Sequence, residues 1–436
     1  MAKLTRADLF WIGGAFALAL AARLAWVLYA EADPTDGRFN DSVFYHLVAA
    51  NLAEGGGYTN PYTFHATAAW APGYVFVLTP LYWFFGAHYQ VAELANALFG
   101  AATVVAVYLL ARELFDRTSA GLAAVLLAVM PGQVWFTSIL YSETLFGFVF
   151  ISALLLLVTA ARQPRTDWRW IVAFGVVAGA AAIVRGVGLW LLIVAPLYLL
   201  LSRRDWRDSV RWSAIAIATA VLVVLPWTIR NAITMDSFVV ISTSAGVNFW
   251  QGHHAGASGG NEFPTELLER YGPLTRPGAE VAISNAGLRE GRRFALTHPR
   301  EELSLSVRKV RELYKDDLIG LYLNEDFGQR PFTLEGLASR LRPVTNAAYF
   351  LVLGLAGIAM ARWALERGRG PVLPVLVVLV WTAGHIAVFG QPRYHFPLVP
   401  LFCILAGWAL AAVPLGWPQM RTDTHRRIMA RSLDST

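Results

Sequence analysis

ETLFGFVFISALLLLVTAA, residues 143–161, carries a single charged side chain, Glu143, at its first position. As a helix its nineteen residues reach about 28 Å, roughly the thickness of a bilayer's hydrocarbon core. Similar runs recur along the chain. Leu9–Ala30, Val91–Ala111, Ser119–Thr137, Trp170–Val184, Val187–Leu201 and Trp212–Ile229 fall in the first half. Ala347–Met360, Pro371–Phe389 and Phe396–Val413 close it. Hydrophobic residues make up 56% of the 436 and charged residues only 15%, against about 25% charged in soluble domains. A water-soluble core could not hide so much apolar surface. These numbers exclude a soluble enzyme, a secreted disulfide scaffold and a disordered regulator. They predict an all-α polytopic membrane protein.

The charges orient it. The formal net charge of +6 is nearly all arginine, since the only lysines are Lys3, Lys309 and Lys315. This is not a nucleic-acid footprint, because the arginines cluster between apolar runs, as cytoplasmic anchors do. Gly73–Gly86 is apolar but short for a span. If it does not cross, the N-terminus, 112–118, 162–169, 202–211, 362–370 and the tail share one side and hold eighteen Lys and Arg. The short loops opposite then hold only Arg38, Arg185 and Arg393. If it crosses, the bias inverts. The positive-inside rule therefore predicts ten spans with both termini inside, and Gly73–Gly86 as a re-entrant or interfacial helix. Ala30-Glu31-Ala32 has the look of a signal-peptidase site, but the preceding run is too long for a signal core and a retained helix is expected.

The expected organisation is a membrane module over 1–230 with a first outer loop at 31–90. An extracytoplasmic region over 231–342, C-terminal spans over 343–413 and a cytoplasmic tail over 414–436 follow. The outer region opens on a strand-like Phe238–Ser242 and a glycine-rich stretch, Gly246–Gly260. Helices are predicted at Ala279–Thr297 and, with Pro299 at its start, Arg300–Lys315. No GxxxxGK[ST], HExxH, CxxC or GxGxxG occurs, so ATP-driven transport and common metalloprotease chemistry lack their signatures. The one cysteine, Cys403, sits within an apolar run and can form no intramolecular disulfide.

Ionisable groups at membrane depth are costly and mark function or structural pairing. Asp41 begins the amphipathic stretch DSVFYHLVAANL, as a helix cap or as a catalytic acid. Glu143 stands at the outer end of its span, capping it or serving a site. Arg185, in Ile-Val-Arg-Gly-Val-Gly, and Arg393 with His395, in Gln-Pro-Arg-Tyr-His-Phe-Pro, lie on the arginine-poor side. Guanidinium groups match phosphate oxygens in a fork, and a carboxylate can accept a proton. Together they suit transfer from a phosphorylated lipid. Arg23, inside the first span, reads as a bundle-interior polar contact, and His253-His254 as a polar loop rather than a metal pair. A transporter or flippase of a lipid-linked sugar is the alternative, but its charges should line a path through the midplane, whereas these gather at one face.

In order along the chain these motifs are familiar. Asp41 with Tyr45, Ala49 and Gly56-Gly57-Tyr58 comes first, then Trp70-Ala71-Pro72-Gly73-Tyr74 and Ala111-Arg112-Glu113-Leu114-Phe115. Tyr141-Ser142-Glu143-Thr144, Val184-Arg185-Gly186 and Pro226-Trp227-Thr228-Ile229-Arg230-Asn231 follow, then Ser242–Gly252 and Arg393-Tyr394-His395-Phe396-Pro397. The chain resembles, from Arg23 to about Val413, the bacterial protein O-mannosyltransferase and lipid A aminoarabinose transferase-like family of the C-type glycosyltransferase superfamily. The resemblance implies a bundle of about ten transmembrane helices in the cell membrane and a polyprenyl-phosphate monosaccharide as donor. The acceptor hydroxyl, on an extracytoplasmic glycan, lipid or protein, would attack C1 of the sugar with inversion in one displacement. It implies Asp41 as general base, with Glu143 positioning Asp41 or the sugar. Arg185, Arg393 and His395 would hold the donor phosphate, and Tyr45, Tyr58, Tyr74, Asn248 and His253 would line the substrate loops. No cofactor is required, and a divalent metal stays open. Ser42 stands where protein-modifying members carry glutamate, and Gly-His-His at 252–254 where relatives often have Gly-Asn-Asn, so the acceptor is not fixed.

Overall fold

The computed structural model describes residues 4–30, 33, 40–163, 167–202, 205–271, 278–327, 335–366 and 371–412. The expected cytoplasmic tail, 414–436, and Arg38 lie outside them. Helices dominate from the start: α1 (Arg6–Ala30), α2 (Asp41–Ala53), α3 (Gly73–Phe85), α4 (Tyr89–Leu114), α5 (Arg117–Ala128) and α6 (Pro131–Trp135). Next come α7 (Glu143–Arg162), α8 (Trp168–Val184), α9 (Leu191–Leu201) and α10 (Trp206–Met235). The 231–342 region contributes α11 (Ser244–Gln251), α12 (Thr265–Tyr271), α13 (Ala279–Thr297), α14 (Pro299–Tyr314) and α15 (Ile319–Phe327). The chain closes with α16 (Glu335–Glu366), α17 (Val372–Ile386) and α18 (Val399–Ala411).

Local chemistry sets where these helices start. Asp116, Asp167 and Asp205 accept from the backbone amides of Ser119, Arg169 and Arg207, capping α5, α8 and α10. All three caps lie at the ends that carry the clustered arginines. There Asp8 of α1 also accepts from Tyr108, Arg112 and Arg117. Six helices are long and apolar enough to cross a bilayer, and the bent pair α5–α6 raises this to seven if it is one span. With the four shorter apolar helices, Gly73–Phe85, Trp168–Val184, Gly186–Leu201 and Val372–Ile386, this is a multi-pass membrane protein.

Two expectations need correction. Ser119–Thr137 is not one continuous helix. It breaks by 55° between Arg117–Ala128 and Pro131–Ser138, because Pro131 cannot donate to the preceding turn. The carbonyl exposed at this break is satisfied by Arg23, which is buried and donates to Ala128 O and to Ala19 O of its own helix. The expected interior role of Arg23 is thus the capping of a broken helix, where a cation opposes the negative end of the dipole. Phe238–Ser242 forms no strand, and it pairs with none among the described residues. Its carbonyls are taken instead by side chains of α10: Trp227 Nε1 bonds Ile241 O, Thr228 bonds Val240 O and Asn231 bonds Val239 O.

Predicted helices hold in the 231–342 region. Ala279–Thr297 forms as expected and the next helix starts on Pro299. Trp250, Leu267, Ala279, Ile283 and Ala286 make a small core of their own there. In the bundle, the short α3 lies against the end of α8. A Cβ on Gly73 would come within 2.7 Å of the Val184 backbone, so glycine alone permits this approach. The contact sets α3 beside Arg185, the next residue along. Gly73→Ala should cost roughly 1–3 kcal/mol by overpacking, lowering the thermal unfolding temperature of the detergent-solubilised protein. An unchanged temperature would show that the approach is not tight.

Candidate active site

Four helix ends bring four charges together. Asn40 caps α2, accepting from the amides of Ser42 at 2.7 Å and Val43 at 3.1 Å. Asp41 is therefore not the cap, and its carboxylate is free for distant partners. Oδ1 accepts from Trp70 Nε1 at 3.0 Å and Oδ2 from the Arg393 guanidinium at 2.7 Å. Glu143 opens α7 and is buried. Its Oε1 takes Arg185 at 2.6 Å and also Arg393 Nε. Its Oε2 is buried and has no hydrogen-bond partner among the described residues.

Arg185 follows the last residue of α8 in extended conformation and also donates to Ser142 Oγ at 3.1 Å. Arg393 lies in the 3-10 turn Pro392–Leu398, with its guanidinium 4.3 Å above the Tyr141 ring. The ring of Tyr394 sits 5.7 Å beneath Arg185. The result is a continuous chain, Asp41–Arg393–Glu143–Arg185, two negative charges alternating with two positive ones. Both carboxylates sit at helix N-termini and Arg185 at a helix C-terminus, where the backbone dipoles favour each sign. The cluster lies at the opposite end of α7 from Arg162, the end where Asp8, Arg112 and Arg117 also gather.

Of the expected substrate-loop residues, the three tyrosines form the wall behind this chain. Tyr45, one turn into α2, reaches Ser142 Oγ at 3.5 Å and packs edge-on to Tyr74. Tyr74 donates to Asn96 Oδ1, and Tyr58 to Trp70 O. Burial pushes the Tyr45 and Tyr141 hydroxyls above the ordinary phenol range. Tyr45 donates to Ser142 Oγ, and the two carboxylates are the basic groups at this cluster.

His395, Asn248 and His253 are placed elsewhere. His395 is fully buried with both ring nitrogens engaged, Nδ1 on Leu313 O at 2.8 Å and Nε2 on Asp317 Oδ1 at 3.2 Å, and it stacks on Tyr349. A phosphate cannot reach a ring so occupied, so His395 leaves the phosphate-binding set and becomes the pin that fixes the Arg393 turn to the end of α14. Asn248 is half-buried on α11, in no hydrogen bond with the cluster. His253 contacts Glu302, Ala387 O and the buried Lys309, whose ammonium is pushed down to about 8 by burial. The unforeseen contributors are Trp70, Ser142, Tyr141, Tyr394 and Asp317. The first four are direct neighbours or motif partners of residues already singled out, whereas no local signal marked Asp317.

A divalent metal does not fit this donor set. Among the described residues no three His, Cys, Asp or Glu side chains converge. Between the two carboxylates stands the Arg393 guanidinium, where a bridging cation would have to sit.

Residues 69–229 match the family described as dolichyl-phosphate-mannose-protein mannosyltransferase. The chain is 26% identical over 387 residues to an undecaprenyl phosphate-alpha-4-amino-4-deoxy-L-arabinose arabinosyl transferase of Pseudomonas paraeruginosa. That match covers 80% of this chain and 66% of the relative, so the chain spans just under two thirds of the relative's length. A Pseudomonas aeruginosa protein of the same name gives the same identity over 389 residues. In fold, the chain is similar to the archaeal oligosaccharyltransferase AglB of Archaeoglobus fulgidus, solved with an inhibitory peptide and a dolichol-phosphate. The TM-score is 0.55 at 18% identity, over 99% of this chain and 52% of that one. The expected resemblance is carried by the family match over residues 69–229 and by the aminoarabinose transferase relatives, and the likeness to AglB is one of fold.

Asp317 is buried, and burial pushes its carboxyl up against the opposing pull of His395. With Nδ1–H of His395 given to Leu313 O, an amide at 317 can still donate to Nε2. Asp317→Asn should therefore lose no more than about 1 kcal/mol, and Asp317→Leu roughly 3 kcal/mol by stranding the histidine. Denaturant titration in detergent checks the difference, and equal losses would remove the pin.

Proposed function

We propose that this chain, a relative of the lipid-phosphate sugar transferases with the C-type glycosyltransferase fold, moves a monosaccharide from a polyprenyl phosphate to an acceptor hydroxyl. The observation that carries the reading is the unbroken ion chain Asp41–Arg393–Glu143–Arg185 at one end of the bundle. The relatives are named for a donor of that class. The acceptor is a glycan, lipid or protein hydroxyl, and inversion follows from a single displacement.

The chemistry follows from the charges. The acceptor oxygen attacks C1 of the sugar, and its proton passes to Asp41. The bond from C1 to the phosphate oxygen breaks, and its electron pair stays on the phosphate, which gains a negative charge as Asp41 loses one. At rest Arg393 is shared by both carboxylates. Protonation of Asp41 releases its hold, so Arg393 turns toward the departing phosphate when the new charge appears. Arg185 supplies the second guanidinium, and stabilisation that grows in the transition state is what accelerates the step. Glu143 Oε2, without a hydrogen-bond partner among the described residues, is available to a sugar hydroxyl. Charges grouped at one end of the bundle favour an enzyme over a transporter, which needs them along a path.

The active site is assigned to the extracytoplasmic face. Counting Trp168–Val184, Gly186–Leu201 and Val372–Ile386 as crossings, with Gly73–Phe85 interfacial, brings the total to ten spans with both ends of the chain inside, in line with the arginine bias. Ala66→Cys and Gln90→Cys should then both react with an impermeant thiol reagent from outside, against the silent, buried Cys403. Labelling from opposite sides would overturn the layout.

Asp41→Asn should insert and bind undecaprenyl phosphate normally while sugar transfer falls by about 10³-fold or more. Retained turnover would remove Asp41 as base. Arg185→Ala should weaken undecaprenyl-phosphate binding by about tenfold or more, the scale of a lost charge-assisted hydrogen bond. Unchanged affinity would separate Arg185 from the phosphate.

A further inference from the structure

One oxygen of Asp41 is held by an indole rather than by a cation, and that indole stands on a segment fixed from far away. Residues 67 and 68 are gripped by three remote parts of the chain. Glu280, in the first turn of α13, accepts from Thr67 Oγ1 at 2.7 Å and from the Ala68 amide at 2.8 Å. Arg230, near the end of α10, donates to Thr67 O at 2.7 Å and to Tyr58 O at 2.8 Å. It lies over the rings of Tyr58 and Trp227. The amide of Thr243 donates to Ala68 O at 2.8 Å. Thr67 and Ala68 are wholly buried by these contacts. Two residues on, Trp70 packs on Phe44 with ring centres 4.2 Å apart, its carbonyl accepts from Tyr58, and its Nε1–H reaches Asp41.

We propose that Glu280 and Trp70 are positioning residues, forming a latch through which the outer region fixes the orientation of the Asp41 carboxylate. The inference rests on the reading of Asp41 as base. Without the latch, the Arg393 guanidinium is the one side chain among the described residues left hydrogen-bonded to the Asp41 carboxylate. That guanidinium must leave during the reaction, so a second, stationary donor is required to keep the carboxylate aimed. An indole N–H has the needed property, since it donates to a carboxylate and cannot follow a phosphate. The other charged and titratable groups facing Asp41 are Arg393, Glu143, Arg185, Tyr45, Tyr141 and Tyr394. None of these belongs to the latch.

The chemistry of Glu280 supplies a rescue. A glutamine there accepts from the Ala68 amide through its oxygen and donates to Thr67 Oγ1 through its nitrogen, keeping both bonds. An alanine keeps neither. In the purified protein, hydrogen–deuterium exchange over residues 66–71 should rise in Glu280→Ala and stay near wild type in Glu280→Gln. With undecaprenyl phosphate-4-amino-4-deoxy-L-arabinose as donor probe, kcat should fall about tenfold in Glu280→Ala, and undecaprenyl-phosphate affinity should stay within about twofold. Trp70→Phe preserves the packing on Phe44 but removes the N–H, so the acidic limb of kcat/KM should move to higher pH. Unaltered exchange in Glu280→Ala, or a Glu280→Gln variant as impaired as the alanine, overturns the latch. So does an unmoved acidic limb in Trp70→Phe. A wild type inactive with this probe would count against the functional reading instead, and the exchange comparison would still decide the latch.

Discussion

Burying ions where water is scarce costs several kcal/mol for each one, even after the protein relaxes, unless opposite charges and hydrogen bonds meet them. That constraint organises this molecule. Asp41, Glu143, Arg185 and Arg393 each come from a different helix end, and no two of them are held together by a local turn. Their alternation in sign makes the cluster neutral, and the dipoles of α2, α7 and α8 favour the charges on Asp41, Glu143 and Arg185. Removing any single member leaves an uncompensated neighbour. A site built this way is therefore both a structural clasp between distant segments and a store of charge that chemistry can redistribute.

The redistribution has a direction. In the proposed reaction a sugar phosphate entering the cluster competes with carboxylates for guanidinium groups already in place, so little reorganisation is needed when charge moves. In the proposed step, proton uptake by Asp41 and charge build-up on the phosphate are opposite halves of one event, and Arg393 touches the acid and its neighbour at once. The tyrosine wall behind them stays protonated and adds packing without competing for the proton. On the far side of the same turn, His395 and Asp317 hold the backbone that carries Arg393, which is why a histidine so near the site is nevertheless absent from it.

Much of this was legible from residues alone. Apolar runs gave the helices, and Pro299 marked the start of α14, because both are decided by local composition. The bend after Ala128 was not, since Pro131 alone cannot say whether a span continues past it; Arg23, more than a hundred residues away, supplies the missing cap. Phe238–Ser242 has the pattern of a strand, but tertiary contacts with Trp227, Thr228 and Asn231 replaced a partner strand. The four ionic residues stood out because charge in an apolar setting demands a partner. The same logic misassigned His395, whose partner Asp317 lies in an ordinary acidic turn. It also left a cap at Asp41 open, where Asn40 one residue earlier does the capping. Pairings across hundreds of residues, including Trp70 with Asp41 and Glu280 with Thr67, follow from the folded arrangement and leave no periodic trace.

The central claim is that these guanidinium groups exist to be handed from carboxylates to a lipid phosphate. A structure of the protein with undecaprenyl phosphate bound tests it most directly. Phosphate oxygens should lie within hydrogen-bond reach of Arg185, with Arg393 drawn from Asp41 toward the phosphate while Trp70 keeps its bond to the acid. A phosphate bound elsewhere, with the Asp41–Arg393–Glu143–Arg185 chain intact, would contradict it.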